Sequence, residues 1–418
     1  MELKITNVGK ISLAEIEIKG LTIIAGPNAT GKSTVSRSLF AMFHSFSKIS
    51  EKIILEQKHA IQKLFFSSNK YLDFTLSAQV RIRELAAILA GDVDKNRINK
   101  TLHNSNPTLE SSELVEELSD DIIKINSTSE ELLYREIVSE IFIDEFNSHI
   151  TNIRSNNESE IELRIKDSKN KVVFDSNNEL VAIEVGKDLS YEVVYIDDPF
   201  IINSYNLSQK RWQLAFYGDI GEKVSNHRSS LISQYKNTEN LTLVDKANLK
   251  EKLNVIYKKI NDTLGADMAL FEDGKNSVES HFSNDRLSVD SLSSGMKTFY
   301  LIKRLIDNGS IVQNTTLILD EPEVHLHPDW QVSLAEIIVL LQKEMGLHIL
   351  INTHSPYFLR AIEVYSQKYE IDSCVKYYLS YNEEDVSKMK DVTLDISKIY
   401  KVLSKPLQRI EDEAYNDY

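Results

Sequence analysis

The chain has 418 residues, 42% hydrophobic and 27% charged, proportions that suit a soluble globular protein with a core large enough for more than one structural unit. A formal charge of −15 argues against a protein that coats nucleic acid nonspecifically, which needs excess Lys and Arg to release counterions, and leaves room only for a local basic face. Cys374 is the only cysteine, which excludes an internal disulfide and a cysteine-based zinc site and suits a reducing compartment.

The opening MELKITNVGK has no apolar stretch of signal-peptide type, and runs such as Leu334–Leu341 fall far short of the roughly 20 residues a membrane span needs. A cytoplasmic protein with no membrane partner is expected. Residues 1–24 show short β-like alternations, LKITNV and AEIEIKGLTII, followed by a glycine-bearing loop and an amphipathic helical pattern through about Phe46. From there to Asn157 the texture is helical with almost no Gly or Pro, as in EKIILEQKHAIQKLFF and EELLYREIVSEIFIDEF, and reads as a helical insertion over 47–157. Between Glu160 and Pro199, IELRIK, KVVF, VAIEV and EVVYID alternate as an antiparallel meander that leads back into a core strand. A second helical stretch covers 221–264 without the sustained heptads of a long coiled coil. Strands and helices alternate from Val289 to Thr353 as in a parallel α/β sheet. A helix, a strand at SCVKYYLSY and an acidic tail over 403–418 close the chain.

Four segments carry chemistry. Gly26-Pro27-Asn28-Ala29-Thr30-Gly31-Lys32-Ser33 matches G-x-x-x-x-G-K-[ST] between a strand and a helix. Its glycines let backbone N–H groups curl around phosphates, Lys32 reaches the β and γ oxygens, and Ser33 ligates Mg²⁺ at a helix N-terminus, with Thr34 behind it. In TTLILDEPE, Thr315–Glu323, an apolar strand delivers Asp320 to the ligand edge of a sheet, where it can hold Mg²⁺ through water or Ser33. Glu321 is placed to orient or deprotonate an attacking water. Alone, this would read as a core strand capped by surface acids; after a phosphate loop it does not. SLSSGMK, Ser291–Lys297, opens a helical pattern, and ILINTHSP, Ile349–Pro356, ends a second apolar strand at His354.

Taken together these motifs resemble ABC-type ATPase heads of the branch that contains SMC-like repair proteins and OLD-family ATPases. SLSSGMK is similar to the LSGGQ signature, with Ser293 and Gly295 matching and Ser294 and Met296 departing. DEPEVHLHPDWQ and THSP, in place of a transporter-like THD, are the most specific pointers within that branch. The resemblance covers about residues 1–45 and 190–360. It implies an α/β P-loop head, a mixed sheet with a parallel core and an antiparallel β subdomain, formed by 1–46 and 158–402 around the insertion. It also implies ATP and Mg²⁺ as cofactors and a homodimer closed around nucleotide, alone or assembled into a higher oligomer. In that family the signature serine, its backbone N–H groups and its helix N-terminus serve the nucleotide of the second subunit, and a histidine at the position of His354 senses the γ-phosphate. His325 and His327 fall in the loop that contacts the partner rather than in a metal site. The coupling glutamine of ABC proteins has no identifiable counterpart.

The roughly 60 residues after His354 are too few for the Toprim nuclease domain of OLD proteins. The layout looks like the ATPase subunits of bacterial anti-phage systems such as Septu-type ones, in which a separate effector, HNH-type or another nuclease, is held or released by the ATPase. The expected function is therefore an ATP-hydrolysing switch, with a DNA-structure-binding repair ATPase as the alternative. A basic strip bearing Arg81 and Arg83, or Lys210 and Arg211, would serve the alternative.

Overall fold

The computed structural model describes residues 1–67, 76–105, 112–152, 157–186, 189, 193–203, 225–237, 241–264, 266–267, 277–280 and 286–416. Lys210 and Arg211 lie outside them. The described chain forms two compact units: Met1–Ser47 with residues of Ile141–Gln209 and Val224–Tyr418, and, second, Lys48–Glu140.

In chain order, strands β1 (Glu2–Val8), β2 (Ile11–Glu17) and β3 (Leu21–Ala25) lead into helix α1 (Lys32–Phe46). β1 alternates, with Leu3, Ile5 and Val8 buried, as a sheet with one covered face requires, whereas β3 is buried throughout, as a central parallel strand requires. The second unit follows as α2 (Ile49–Ser67), α3 (Leu76–Leu89), α4 (Lys95–Ser105), α5 (Ser112–Asn126) and the greater part of α6 (Glu130–Phe146). Its core is a helical stripe of Ile61, Phe65, Leu89, Ile98, Leu102 and Ile122, among others. Asn126 closes it by donating to the Leu89 and Asp92 carbonyls at 2.8 and 2.7 Å.

The first unit resumes with β4 (Ser159–Ile165), β5 (Ser168–Phe174) and β6 (Leu180–Glu184), an antiparallel meander on β1, and then β7 (Val193–Ile196). Helices α7 (His227–Lys236), α8 (Leu243–Lys252) and α9 (Asn254–Leu264) follow, the first two opened by capping boxes at Asn226 and Thr242. A small antiparallel sheet of β8 (Ala266–Asp267), β9 (Ser277–Ser280) and β10 (Arg286–Ser288) precedes α10 (Ser294–Asp307). The remaining elements are β11 (Thr316–Asp320), α11 (Pro328–Met345), β12 (His348–Thr353), α12 (Pro356–Lys368), β13 (Val375–Glu383), β14 (Val386–Asp391), α13 (Ser397–Leu403) and α14 (Lys405–Asn416).

The eleven strands outside the small sheet form one mixed sheet in the order β6-β5-β4-β1-β2-β14-β13-β3-β12-β11-β7. From β13 to β7 every pairing is parallel; from β2 to β6 every pairing is antiparallel. The expected α/β class, with a parallel core and an antiparallel subdomain, is what the chain forms. β14 was not expected from the sequence. It joins the two parts, antiparallel to β13 and parallel to β2, and its VSKMKD is too polar to read as a sheet-interior strand because only Ser387 is buried. The end of the chain carries a further helix, α14, with Leu407 and Ile410 exposed.

The parallel strands β3, β7, β11 and β12 end on the same edge, so Gly26, Asp197, Glu321 and His354 each begin the loop beyond a strand terminus. This is the edge at which open α/β sheets bind ligands.

Candidate nucleotide site

The loop Gly26–Gly31 turns the chain from β3 into α1. A side chain at Gly26 would run into the backbone carbonyl of Ser380 on β13, so sheet packing as well as phosphate access restricts this position. Gly31 has φ 83°, the left-handed region, and a Cβ there would meet Ile11 Cγ1 at 2.8 Å. Among the described residues no side chain caps the first turn of α1, which leaves its N–H groups for another acceptor. Asn28, Gly31, Lys32, Ser33, Thr34 and Glu321 line one cleft of about 260 Å³. Lys32 is 5% exposed and donates to the Gly26 and Pro27 carbonyls at 3.0 and 2.9 Å, bridging the loop's own oxygens. Burial holds its ammonium below the ordinary lysine range even with Glu321, Asp320 and Glu323 nearby. Uncapped N–H groups, a dehydrated ammonium and an open cleft together suit phosphate oxygens.

Asp320 ends β11 and is held from both sides. Asn352, its register partner on β12, donates from Nδ2 to Asp320 Oδ1 at 2.9 Å and to Ser36 Oγ on α1 at 2.8 Å. Tyr195 on β7, paired with Ile318, donates its hydroxyl to Asp320 Oδ2 at 3.1 Å. Each carboxylate oxygen accepts one hydrogen bond and retains a lone pair. With the Ser33 hydroxyl exposed in the cleft, this all-oxygen set fits Mg²⁺ bound largely through water and phosphate.

Glu321 follows in the left-handed region, φ 50°, its N–H donating to the Asn352 carbonyl at 2.9 Å. This conformation is uncommon for a residue other than glycine and is held by the strand ends around it. Its Oε1 lies 3.8 Å from Lys32 Nζ and 3.2 Å from His354 Nδ1. His354 is itself positioned by Glu323, which is 2% exposed and accepts from the Thr353 hydroxyl and, at 3.3 Å, from the His354 N–H. Burial pushes the Glu323 carboxyl up. The structure thus brings Lys32, Glu321 and His354 into one chain of contacts, with Asp320 beside them.

Ser293 and Gly295 do not line that cleft. Ser293 is exposed and caps α10, its Oγ accepting from the Met296 N–H at 3.4 Å. Gly295 is buried, and a Cβ there would meet Leu326 Cδ2 at 2.9 Å and the Trp330 ring at 3.0 Å. The glycine thus lets the start of α10 sit against the loop after Glu321, with Phe299 edge-on to Trp330 at 5.9 Å between centroids. His327 caps α11, its Nδ1 accepting from the Asp329 N–H at 3.3 Å, and His325 stands edge-on to Phe200.

Sequence reasoning missed Tyr195, Asn352 and Glu323. Asn352 and Glu323 adjoin recognised motifs, but no local pattern marks Tyr195, which reaches Asp320 only through strand order.

Among solved structures, three similar ones are an Smc head bound to the C-winged helix domain of ScpA, an SMC head domain from Thermotoga maritima, and an Smc head with an extended coiled coil bound to the C-terminal domain of ScpA derived from Pyrococcus furiosus. The first is 11% identical, with 95% of this chain and 98% of that chain covered and a TM-score of 0.45. The second is 11% identical, with coverages of 94% and 98% and a TM-score of 0.40. The third is 11% identical, with coverages of 98% and 98% and a TM-score of 0.42. The family model described as an AAA ATPase domain matches residues 1–359, through the phosphate loop, Asp320, Glu321 and His354, and the chain therefore belongs to the AAA ATPase domain family.

Proposed function

We propose that the protein binds ATP with Mg²⁺ ahead of α1, hydrolyses it to ADP and phosphate, and acts as a nucleotide-closed switch that controls a separate effector. The observation that carries the hydrolytic part is the place of Glu321. Its Oε1 bridges between Lys32 and His354, at 3.8 and 3.2 Å, at the rim of the phosphate-sized cleft. Lys32 would exchange the Gly26 and Pro27 carbonyls for β and γ oxygens, and Asn28, Gly31 and Thr34 would shape the cradle around them. Mg²⁺, held by Ser33 and through water by Asp320, would supply charge neutralisation on the phosphates. Glu321 would orient or deprotonate the attacking water, and His354, pinned by Glu323, would contact the γ-phosphate.

The exposed Ser293 at the N-terminus of α10 supports a site completed by a second copy, in which Ser293 and the helix end at Gly295 of the partner subunit meet the γ-phosphate. Closure on ATP and opening after hydrolysis would be the switch. The assignment to bacterial anti-phage defence, with an HNH-type or other nuclease as effector, follows the sequence resemblance described above.

Hydrolysis by wild type, with loss in Lys32→Ala, Asp320→Ala and Glu321→Gln, tests the enzyme reading; unchanged rates in all three would refute it. Mass spectrometry of Glu321→Gln protein purified from its native host in ATP tests the output. A stoichiometric nuclease or other toxic effector supports the defence switch, and recovery of DNA with no protein partner replaces it by a DNA-structure-binding ATPase.

A further inference from the structure

Behind Asp320 lies a buried ionic cluster that the hydrolytic reading does not use. His227, 6% exposed at the first turn of α7, directs Nδ1 at Glu145, 2.8 Å from Oε1 and 3.0 Å from Oε2, and its backbone N–H donates to Glu145 Oε2 at 2.9 Å. Its Nε2 lies 3.1 Å from Asp197 Oδ2, close enough for an ion pair although out of line for a hydrogen bond. Arg228 donates to the same Asp197 oxygen at 2.8 and 3.1 Å. With a carboxylate at each ring nitrogen, His227 is an imidazolium.

The imidazolium face is stacked on the Tyr195 ring, with centroids 4.3 Å apart and planes 29° apart. Phe40 of α1 closes the box, 6.1 Å from Tyr195 and 6.0 Å from His227. Such a stack combines dispersion with attraction between the cation and the ring, and it fixes the ring plane. The hydroxyl of that ring is the Tyr195 donor to Asp320 Oδ2. A neutral phenol facing a carboxylate oxygen is the donor of the pair and the carboxylate the acceptor.

Resting on the reading of Asp320 as a metal-holding carboxylate, we infer that Tyr195, clamped by the His227–Glu145–Asp197 cluster, is a positioning residue that sets the orientation of the Asp320 carboxylate for Mg²⁺. Asn352 fixes Oδ1 from β12, and Tyr195 fixes Oδ2 from β7. Without the second donor the carboxylate can rotate about its Cα–Cβ and Cβ–Cγ bonds away from the cleft. Glu145 belongs to the last turns of α6, in the part of that helix that falls in the first unit.

The test is Mn²⁺ affinity of the full chain with a nonhydrolysable ATP analogue, read from the EPR signal of free Mn²⁺, alongside analogue affinity without metal. Tyr195→Phe removes one oxygen and is expected to weaken Mn²⁺ binding about tenfold, within the range typical of partners that orient metal ligands, while metal-free analogue affinity stays within about twofold. His227→Gln is expected to do the same, and the double variant to be no worse than the weaker single, because both act through one contact. Asp320→Ala separates the two levels. If it loses Mn²⁺ affinity while Tyr195→Phe binds Mn²⁺ as wild type does, the positioning role is wrong and the site reading stands. If Asp320→Ala also binds Mn²⁺ normally, the site reading itself fails. A Tyr195→Phe protein that melts earlier but keeps its Mn²⁺ affinity assigns Tyr195 to packing alone and overturns the inference.

Discussion

The buried imidazolium makes stability depend on pH in a calculable way. Burial alone would lower the His227 pKa, but Asp197 and Glu145 outweigh it and raise it to about 9 from 6.5. A group whose native value is raised contributes fully below 6.5, where folded and unfolded chains both hold the proton. Its contribution falls as the unfolded chain deprotonates and is gone once pH passes about 9. The rise from 6.5 to about 9 corresponds to about 3 kcal/mol. Asp197 runs the opposite way: burial would raise its pKa, but His227 and Arg228 bring it down to about 2, so its share is present above 3.8 and is lost as pH falls through about 2. His227→Gln deletes the imidazolium while keeping a polar side chain of similar reach. The difference in unfolding free energy between wild type and this variant, measured by urea denaturation and circular dichroism, should be largest between about pH 4 and 6.5 and shrink by about 3 kcal/mol by pH 9.5. Titrations common to both proteins cancel. A difference that stays flat from pH 6 to 9.5 would refute the ion-pair account of the cluster.

Other outcomes follow from the same geometry. Lys32→Ala should abolish binding of a fluorescent ATP analogue, since it removes the cation that the loop supplies to the cleft, and normal binding would remove Lys32 from the site. Gly295→Ala should cost about 1 to 3 kcal/mol by overpacking against Trp330 and Leu326, while Ser293→Ala should lower hydrolysis and cost about 0.5 to 2 kcal/mol through loss of the α10 cap. A Gly295→Ala protein that melts as wild type does would contradict the packing role of Gly295. Glu323→Ala should lower kcat with little change in KM, because it frees the His354 backbone without touching the phosphate loop, and Glu323→Gln should restore part of the rate.

The legible parts of the molecule are those written contiguously. The phosphate loop sits between β3 and α1, and Asp320 and Glu321 end an apolar strand, so short-range pattern places each without knowledge of its neighbours. The meander of β4 to β6 was equally readable, since one covered face imposes alternation. The cluster around Asp320 was not, because Glu145, Tyr195, His227 and Asn352 come from four distant segments and meet only through sheet order and helix docking. β14 escaped because its neighbours on both sides, not its own side chains, make it a strand. Gly295 was readable as part of a signature, but its contact with Trp330 requires the fold.

The central claim is a site completed by a second copy of the chain, and sedimentation of Glu321→Gln with ATP and Mg²⁺ tests it most directly. The account predicts a monomer without nucleotide and a stable dimer with ATP, lost again in the Glu321→Gln/Ser293→Arg double variant. A Glu321→Gln protein that binds ATP yet stays monomeric, while wild type hydrolyses normally, would contradict it.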